Sequence, residues 1–190
     1  NGSTSTTTTL RIFGYGSLCW GPGTGALAKE GVTTQLGRAM GYKRCWAQKS
    51  TDHRGMPSFP GIVCTLVRDD EIKEISIRRQ QEHEQPNGVL QEEEKPSMTE
   101  GVVYTIPPEQ VDDCLAELDF REKGGYARDV VEVLIDNDDD DTTTTVVKAL
   151  LYRGTPDNPA FWDRALLDLP LAAAIMSVSV GPSGTNDAYL

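Results

Sequence analysis

The chain has 190 residues and a formal net charge of −11 at pH 7, with an isoelectric point near 4.6. That balance excludes the basic footprint that nucleic-acid binding requires. No apolar run reaches the length of a membrane span, and no signal-peptide pattern precedes Leu10.

Leu10 to Tyr15 (LRIFGY) reads as a short strand, with Gly16 and Ser17 as a turn and Gly21 to Gly25 as loop. Thr33 to Gln48 alternates as one or two strands, and Ser50 to Gly61 (STDHRGMPSFPG) is a Pro/Gly-rich loop. Ile62 to Val67 and Gly101 to Ile106 are strands by their β-branched content. A helix is predicted from Pro107 to Lys123, opened by a proline, acidic in its first turn and stopped by Gly124 and Gly125. Its apolar stripe is Val111, Cys114, Leu115 and Leu118. Val130 to Ile135 and Val146 to Tyr152 are predicted strands, and Ala160 to Met176 is mostly helical, interrupted at Pro170.

Three stretches look too polar to pack: Asn1 to Thr9, Asp69 to Ser97, and the solvated linker Asp136 to Thr145 (DNDDDDTTTT). The remainder, roughly 140 residues, is the usual size of one compact domain. The expectation is therefore one domain over residues 10–190, with polar insertions near 69–97 and 136–145 and a disordered segment 1–9. Strands and helices mix without regular alternation, so an α+β fold with a curved or closed sheet is predicted. Cys19, Cys45, Cys64 and Cys114 show no Cys-x-x-Cys spacing. That favours reduced, mostly buried thiols in a cytosol-like compartment, with two disulfides left open on count alone.

The usual catalytic patterns are missing. Gly14-x-Gly16 would begin a dinucleotide-binding fingerprint, but Cys19 holds the third glycine position. No Walker lysine follows a glycine-rich loop, Ser17 lacks the nucleophile-elbow pattern, and two histidines, His53 and His83, are too few for a histidine-based zinc site. The acidic run lacks the spaced ligands and terminal Glu of an EF-hand.

Glu122 differs from the other acids. Four residues after Leu118, it falls on the apolar side of the helix and at the C-terminus, where the last carbonyls disfavour a carboxylate. Partial burial and that dipole would raise its pKa towards a general acid/base; the plainer reading is an exposed end paired with Arg121 or Lys123. Gly14 to Leu18 offers successive backbone N–H groups for a carboxylate or oxyanion, or is an ordinary strand-ending turn. His53 and Arg54 could bind an acidic substrate; the alternative is that Asp52 and Arg54 only organise the loop.

Together these segments resemble the ChaC-type γ-glutamylcyclotransferases. Phe13 to Leu18 (FGYGSL) with Trp20 is similar to the family's opening FGYGSLIW. Ser50 to Gly55 (STDHRG) with Pro57, Pro60 and Gly61 resembles its second block, and Leu118 to Tyr126 (LDFREKGGY) its third. Asp157 to Pro159 and Gly181 to Leu190 resemble later blocks, all in family order. The resemblance implies a small mixed β-barrel flanked by α-helices, a cytosolic location, glutathione as substrate, and neither metal nor organic cofactor. It places the acid/base glutamate on Glu122 and the substrate-binding turn on Ile12, Phe13, Gly14, Tyr15, Gly16, Ser17 and Leu18. Arg54 and Tyr126 are the further candidate substrate contacts, Tyr126 either bonding substrate or capping the core.

The implied reaction needs no enzyme nucleophile. The α-amine of a γ-glutamyl amide attacks its own side-chain carbonyl, releasing 5-oxoproline and, from glutathione, Cys-Gly. Three features depart from the family. Ile62 stands where it usually has Arg in a PGRVVTL-like segment, the insertion at Asp69 to Ser97 is long, and the chain stops at Leu190 where members usually continue into a helix. The alternatives are a cyclotransferase for other γ-glutamyl amino acids or amines, a non-catalytic metabolite-binding relative, and a calcium-binding module. The sequence does not set the oligomeric state.

Overall fold

The computed structural model describes residues 9–21, 25–82, 95–122, 125–137 and 140–189. The strands are β1 (Leu10–Gly14), β2 (Thr33–Met40), β3 (Tyr42–Ser50), β4 (Gly61–Arg68), β5 (Met98–Ile106), β6 (Ala127–Asn137), β7 (Asp140–Arg153), β8 (Val180–Gly181) and β9 (Gly184–Thr185). The α-helices are α1 (Asp69–Glu82), α2 (Val111–Arg121), α3 (Asp163–Leu167) and α4 (Leu169–Val178). Residues divide into two compact units: Asn1–Ala39, Glu100–Gly124 and Arg128–Tyr152 form the first, and Met40–Thr99, Gly125–Ala127 and Arg153–Leu190 the second.

The first unit is a closed barrel in the order β1-β5-β2-β6-β7. β1 runs antiparallel to β5, from Leu10 opposite Ile106 to Gly14 opposite Val102. It also meets β7 in parallel, with Ile12 opposite Leu150, which makes the barrel mixed. β2 pairs antiparallel with β6 through Arg38–Leu134 and Ala39–Val133. Alternate side chains fill the interior, as a period of two requires: Val131, Val133 and Ile135 from β6, and Val147, Ala149 and Leu151 from β7. The expected small mixed β-barrel is what forms.

α2 buries Cys114 and Leu118 against this unit, as its apolar stripe predicts. The helix is shorter than the predicted one. Pro108–Gln110 form a 3₁₀ turn, α-helix begins at Val111, and Glu122 is the C-cap. Pro107 and Pro108, which lack an amide proton to give, leave Pro108–Gln110 as a tighter first turn outside the α-helical ladder.

Two polar stretches do not behave as the composition suggested. The first fourteen residues of the Asp69–Ser97 stretch are α1, one flank of which is buried at Glu71 and Ile75. Asp69 closes the segment by accepting the amide of Ser97 at 2.8 Å. The Asp/Thr run is not a linker either: β6 and β7 extend into it, because ladder bonds satisfy the backbone whatever the side chains, and Thr suits a strand. Residues 1–8, 83–94 and 138–139 lie outside the described residues, so the remainder of those expectations does too.

In the second unit β3 and β4 form an antiparallel pair from Tyr42–Arg68 to Ser50–Gly61, with a bulge between Trp46 and Gln48. α3 and α4 supply Ala165, Ala172 and Met176 to a core around Ile62, with Trp46, Trp162 and Ile175 packed against it. Ile62 is fully buried in that core, so the family's usual arginine position is here a packing position. Pro170 opens α4 instead of breaking a longer helix; the break is at Asp168, whose carboxylate caps the amide of Leu171 at 2.9 Å.

Arg153 and Glu71 form an almost wholly buried ion pair in this unit. Nη1 and Nη2 of Arg153 each donate to a Glu71 oxygen at 2.8 Å, and Arg153 is only 2% exposed. Glu71 also accepts the Arg68 amide at 3.0 Å, and Tyr42 lies under the Arg153 guanidinium. This arrangement pins a helix of low hydropathy to the sheet. All four cysteines are free thiols, and burial pushes Cys45 up to about 11 and raises Cys114 as well, so neither is an activated nucleophile. Among the described residues no helix is long and apolar enough to cross a membrane.

Candidate active site

The chain leaves β1 at Gly14 and immediately tightens into the 3₁₀ turn Ser17–Cys19. Gly14 is needed here, because a Cβ on it would sit 2.6 Å from Cβ of Leu18. The turn is closed by Cys19 N donating to Gly16 O at 2.9 Å and Trp20 N to Ser17 O at 3.2 Å. Cys19 Sγ donates to Gly14 O at 3.3 Å, and the hydroxyl of Tyr104 on β5 donates to Leu18 O at 2.6 Å. These bonds use the carbonyls of the turn. Its opening amides, those of Ser17 and Leu18, precede the first donor of the turn and are not spent inside it.

The C-terminus of α2 meets this turn. Arg121 Nη2 donates to Ser17 Oγ at 2.8 Å, while Nε of the same guanidinium lies 3.3 Å from Glu122 Oε1. The Glu122 amide donates to Leu118 O at 2.8 Å, which fixes the start of its side chain, and that side chain is 22% exposed. The Glu122 carboxylate pairs with Arg121, and its side chain is half-buried.

Beside Glu122 stands a second polar group. Tyr152 donates its hydroxyl to Asp119 Oδ1 at 2.8 Å, and Arg128 grips the Asp119 carboxylate through Nε and Nη2 while its guanidinium lies over the Tyr152 ring. Tyr15 donates to the Tyr152 carbonyl at 2.8 Å, tying the turn to the same strand. Burial raises the Tyr152 phenol; Glu122's charge adds to that rise and Arg128 opposes it. Tyr104 is raised too, chiefly by burial, with Arg121 opposing. Both phenols therefore stay protonated donors at neutral pH.

Among the turn residues read from sequence, Ile12 and Phe13 are buried on opposite faces of β1, at 1% and 2% exposed, so only their backbones can face a ligand. Tyr15, Gly16, Ser17 and Leu18 lie with Glu122 in one constellation of the first unit. Arg54 and Tyr126 belong to the second unit. Arg54 Nη1 donates to Thr185 O at 3.0 Å, and its amide donates to Ser50 Oγ at 3.0 Å. His53 Nδ1 lies 2.9 Å from Asp52 Oδ1, an exposed contact between neighbours in the chain. Tyr126 is half-buried and follows Gly125, whose carbonyl accepts Asn158 Nδ2 at 2.8 Å.

Sequence reasoning missed Asp119, Tyr104, Arg128 and Tyr152, and saw Arg121 only as an ion-pair partner. Asp119 and Arg121 lie within the block LDFREKGGY and could have been singled out there. Tyr104 and Tyr152 sit among strand residues whose alternation marks core, and nothing local shows that their hydroxyls reach a helix end. Among the described residues no group of three or more His, Cys, Asp or Glu could hold a metal ion.

The closed mixed barrel with its flanking helices is a fold shared with a solved γ-glutamyl cyclotransferase. A crystal structure of the yeast enzyme of that class, described as specific to glutathione, superposes with a TM-score of 0.75 at 28% identity, over 96% of this chain and 83% of that one. The family described as ChaC-like protein matches residues 10–190, and the chain belongs to it. The glutathione-specific gamma-glutamylcyclotransferase of Saccharomyces cerevisiae is 30% identical over 94% of this chain and 81% of the relative. Glutathione-specific gamma-glutamylcyclotransferase 1 of Danio rerio is 30% identical over 95% and 75%.

Proposed function

We propose that this chain is a glutathione-specific γ-glutamylcyclotransferase of the cytosol, with Glu122 as its general acid/base. The observation that carries the site assignment is the Arg121 bridge, which holds the carboxylate of Glu122 and the hydroxyl of Ser17 with one guanidinium. The family and its glutathione-specific relatives support the substrate.

The chemistry follows from the substrate's own geometry. Its α-amine and γ-carbonyl are four bonds apart, so ring closure needs the folded-back conformer and proton management, and no external nucleophile. The neutral amine attacks the γ-carbonyl carbon, the new C–N bond closes a five-membered ring, and Glu122 takes the proton the nitrogen sheds. The same proton passes to the cysteinyl nitrogen as its bond to carbon breaks. Atoms balance without water: one glutathione gives one 5-oxoproline and one Cys-Gly. The amides of Ser17 and Leu18 hold the α-carboxylate or the developing oxyanion. Arg54 and Tyr126 are assigned to substrate binding.

A substrate panel tests the specificity. Glutathione is expected to give kcat/KM at least about 10-fold above γ-glutamyl-alanine and γ-glutamyl-lysine, the discrimination one lost charge-assisted contact produces. Equal rates on all three would replace the glutathione-specific reading with a general γ-glutamyl cyclotransferase.

A further inference from the structure

The end of α2 carries two carboxylates three residues apart, Asp119 and Glu122, a spacing that sets them side by side on the helix surface. Like charges so placed make each harder to ionise. Each has a cation beside it. Arg121 Nε lies 3.3 Å from Glu122 Oε1. Arg128 of β6 donates from Nε to Asp119 Oδ1 at 2.8 Å and from Nη2 to Asp119 Oδ2, a guanidinium fork on both oxygens of one carboxylate.

The same pair fixes a phenol. Tyr152 of β7 donates to Asp119 Oδ1 at 2.8 Å, and the Arg128 guanidinium carbon lies 5.7 Å from the centre of its ring. Burial raises the Tyr152 phenol, Arg128 opposes that rise and Glu122 adds to it, so Tyr152 senses both partners. The neighbouring groups keep one charge state where a carboxylate titrates. Tyr104 of β5 and Cys114 of α2 are raised by burial, and Ser17 of the turn is neutral. Among the described residues, the charge around Glu122 in acid is therefore set by Arg121, Asp119 and Arg128, all within the first unit.

We infer that Arg128 is a positioning residue for the cyclisation: it cancels the charge of Asp119, three residues before Glu122, and so keeps Glu122 an ionised proton acceptor to lower pH. This rests on the reading of Glu122 as the general acid/base. Arg128 acts through Asp119, because its fork is spent on that carboxylate. An ion pair with no such part would contribute to stability alone. The acid limb of kcat/KM reports the essential base of the free enzyme, and the amine of glutathione titrates alike beside every variant. Differences between proteins in that limb therefore read the field at Glu122. Asp119 and Arg128 are each 43% exposed, so solvent weakens the effect relative to a buried pair.

The test is the pH profile of kcat/KM for glutathione, measured with thermal unfolding alongside. Arg128→Met is expected to move the acid limb up by about 0.3–1 pH unit, because Asp119 then faces Glu122 with its charge uncancelled. Asp119→Asn is nearly isosteric, keeps an acceptor for Tyr152 and leaves the Arg128 charge in excess, so its limb is expected to move down by a similar amount. Asp119→Asn with Arg128→Met is expected within about 0.2 unit of wild type, since both charges are gone. Arg128→Lys is expected to hold the limb too, because it keeps the cation while losing the fork. High salt should shrink both single-variant shifts. An acid limb that stays in place in Arg128→Met overturns the inference, as does one that stays or moves up in Asp119→Asn. Should Arg128→Met fail to fold, Asp119→Asn decides alone. A lowered Tm with every limb in place makes the pair structural only and likewise overturns it. The Glu122 reading fails separately: Glu122→Gln that keeps its kcat and its acid limb overturns that reading before any Arg128 variant is compared.

Discussion

Glu122→Gln is expected to fold as the wild type does, to keep KM for glutathione within about 3-fold, and to lose about 10²–10⁴-fold in kcat, the range a positioned general acid/base contributes. The amide is nearly isosteric, and its oxygen still accepts from Arg121, which lies 3.3 Å from the carboxylate. The bridge to Ser17 therefore survives, and only proton transfer is removed. Thermal unfolding followed beside steady-state kinetics separates the outcomes. A folded Glu122→Gln protein that keeps most of its kcat removes Glu122 from the mechanism. A variant that loses KM and kcat together, with a lowered Tm, gives the residue a structural part in holding the turn instead.

The largest effect on stability is expected at Glu71. Its replacement by Leu strands the Arg153 guanidinium, 2% exposed, without the two 2.8 Å bonds that offset its burial. Breaking a buried pair from one side costs about 3–5 kcal/mol, mostly the penalty of the charge left behind. Urea unfolding should show that loss, with α1 detaching first because Ile75 is its only buried apolar side chain among the described residues. Glu71→Leu with Arg153→Met should recover most of the loss, since both charges are then gone. A single variant that costs less than about 1 kcal/mol would mean that water or Asp70 neutralises Arg153 in its place.

The same pair marks a limit of what composition can reveal. A stretch dense in Asp, Glu, Lys and Arg reads as solvated, and for most such stretches burial of a carboxylate has no compensation. Here Glu71 is matched by Arg153, 82 residues away, a partner no local pattern discloses. The Asp/Thr run misled for another reason. A barrel strand draws its backbone bonds from its neighbours, so β6 and β7 continue past the point where side-chain hydropathy ends. By contrast the barrel core was readable, because Val131, Val133 and Ile135 alternate in the chain as they do in space. Pro170 was recognised as a helix signal but with the wrong sense, since a proline starts a helix as readily as it ends one.

The candidate site was legible in part. The glycines of the turn and the position of Glu122 after Leu118 carried their own physical arguments, and the resemblance joined them. What joins them physically is Arg121, adjacent to Glu122 in the chain and 104 residues from Ser17. A neighbouring arginine looks like a surface ion pair from sequence, and its second contact exists only once α2 packs beside the turn. Tyr152 and Asp119 were hidden likewise: the phenol looks like a strand residue and the carboxylate like an exposed helix residue, until their 2.8 Å bond brings them beside Glu122.

Ring closure without water is read from the products of glutathione in ¹⁸O-labelled water. Purified protein is expected to give 5-oxoproline and Cys-Gly in equal amounts by mass spectrometry, both free of label, because no water enters the bond exchange. Glutamate carrying one ¹⁸O in place of 5-oxoproline would show hydrolysis through an activated water, and would contradict both the tethered-amine mechanism and the role given to Glu122.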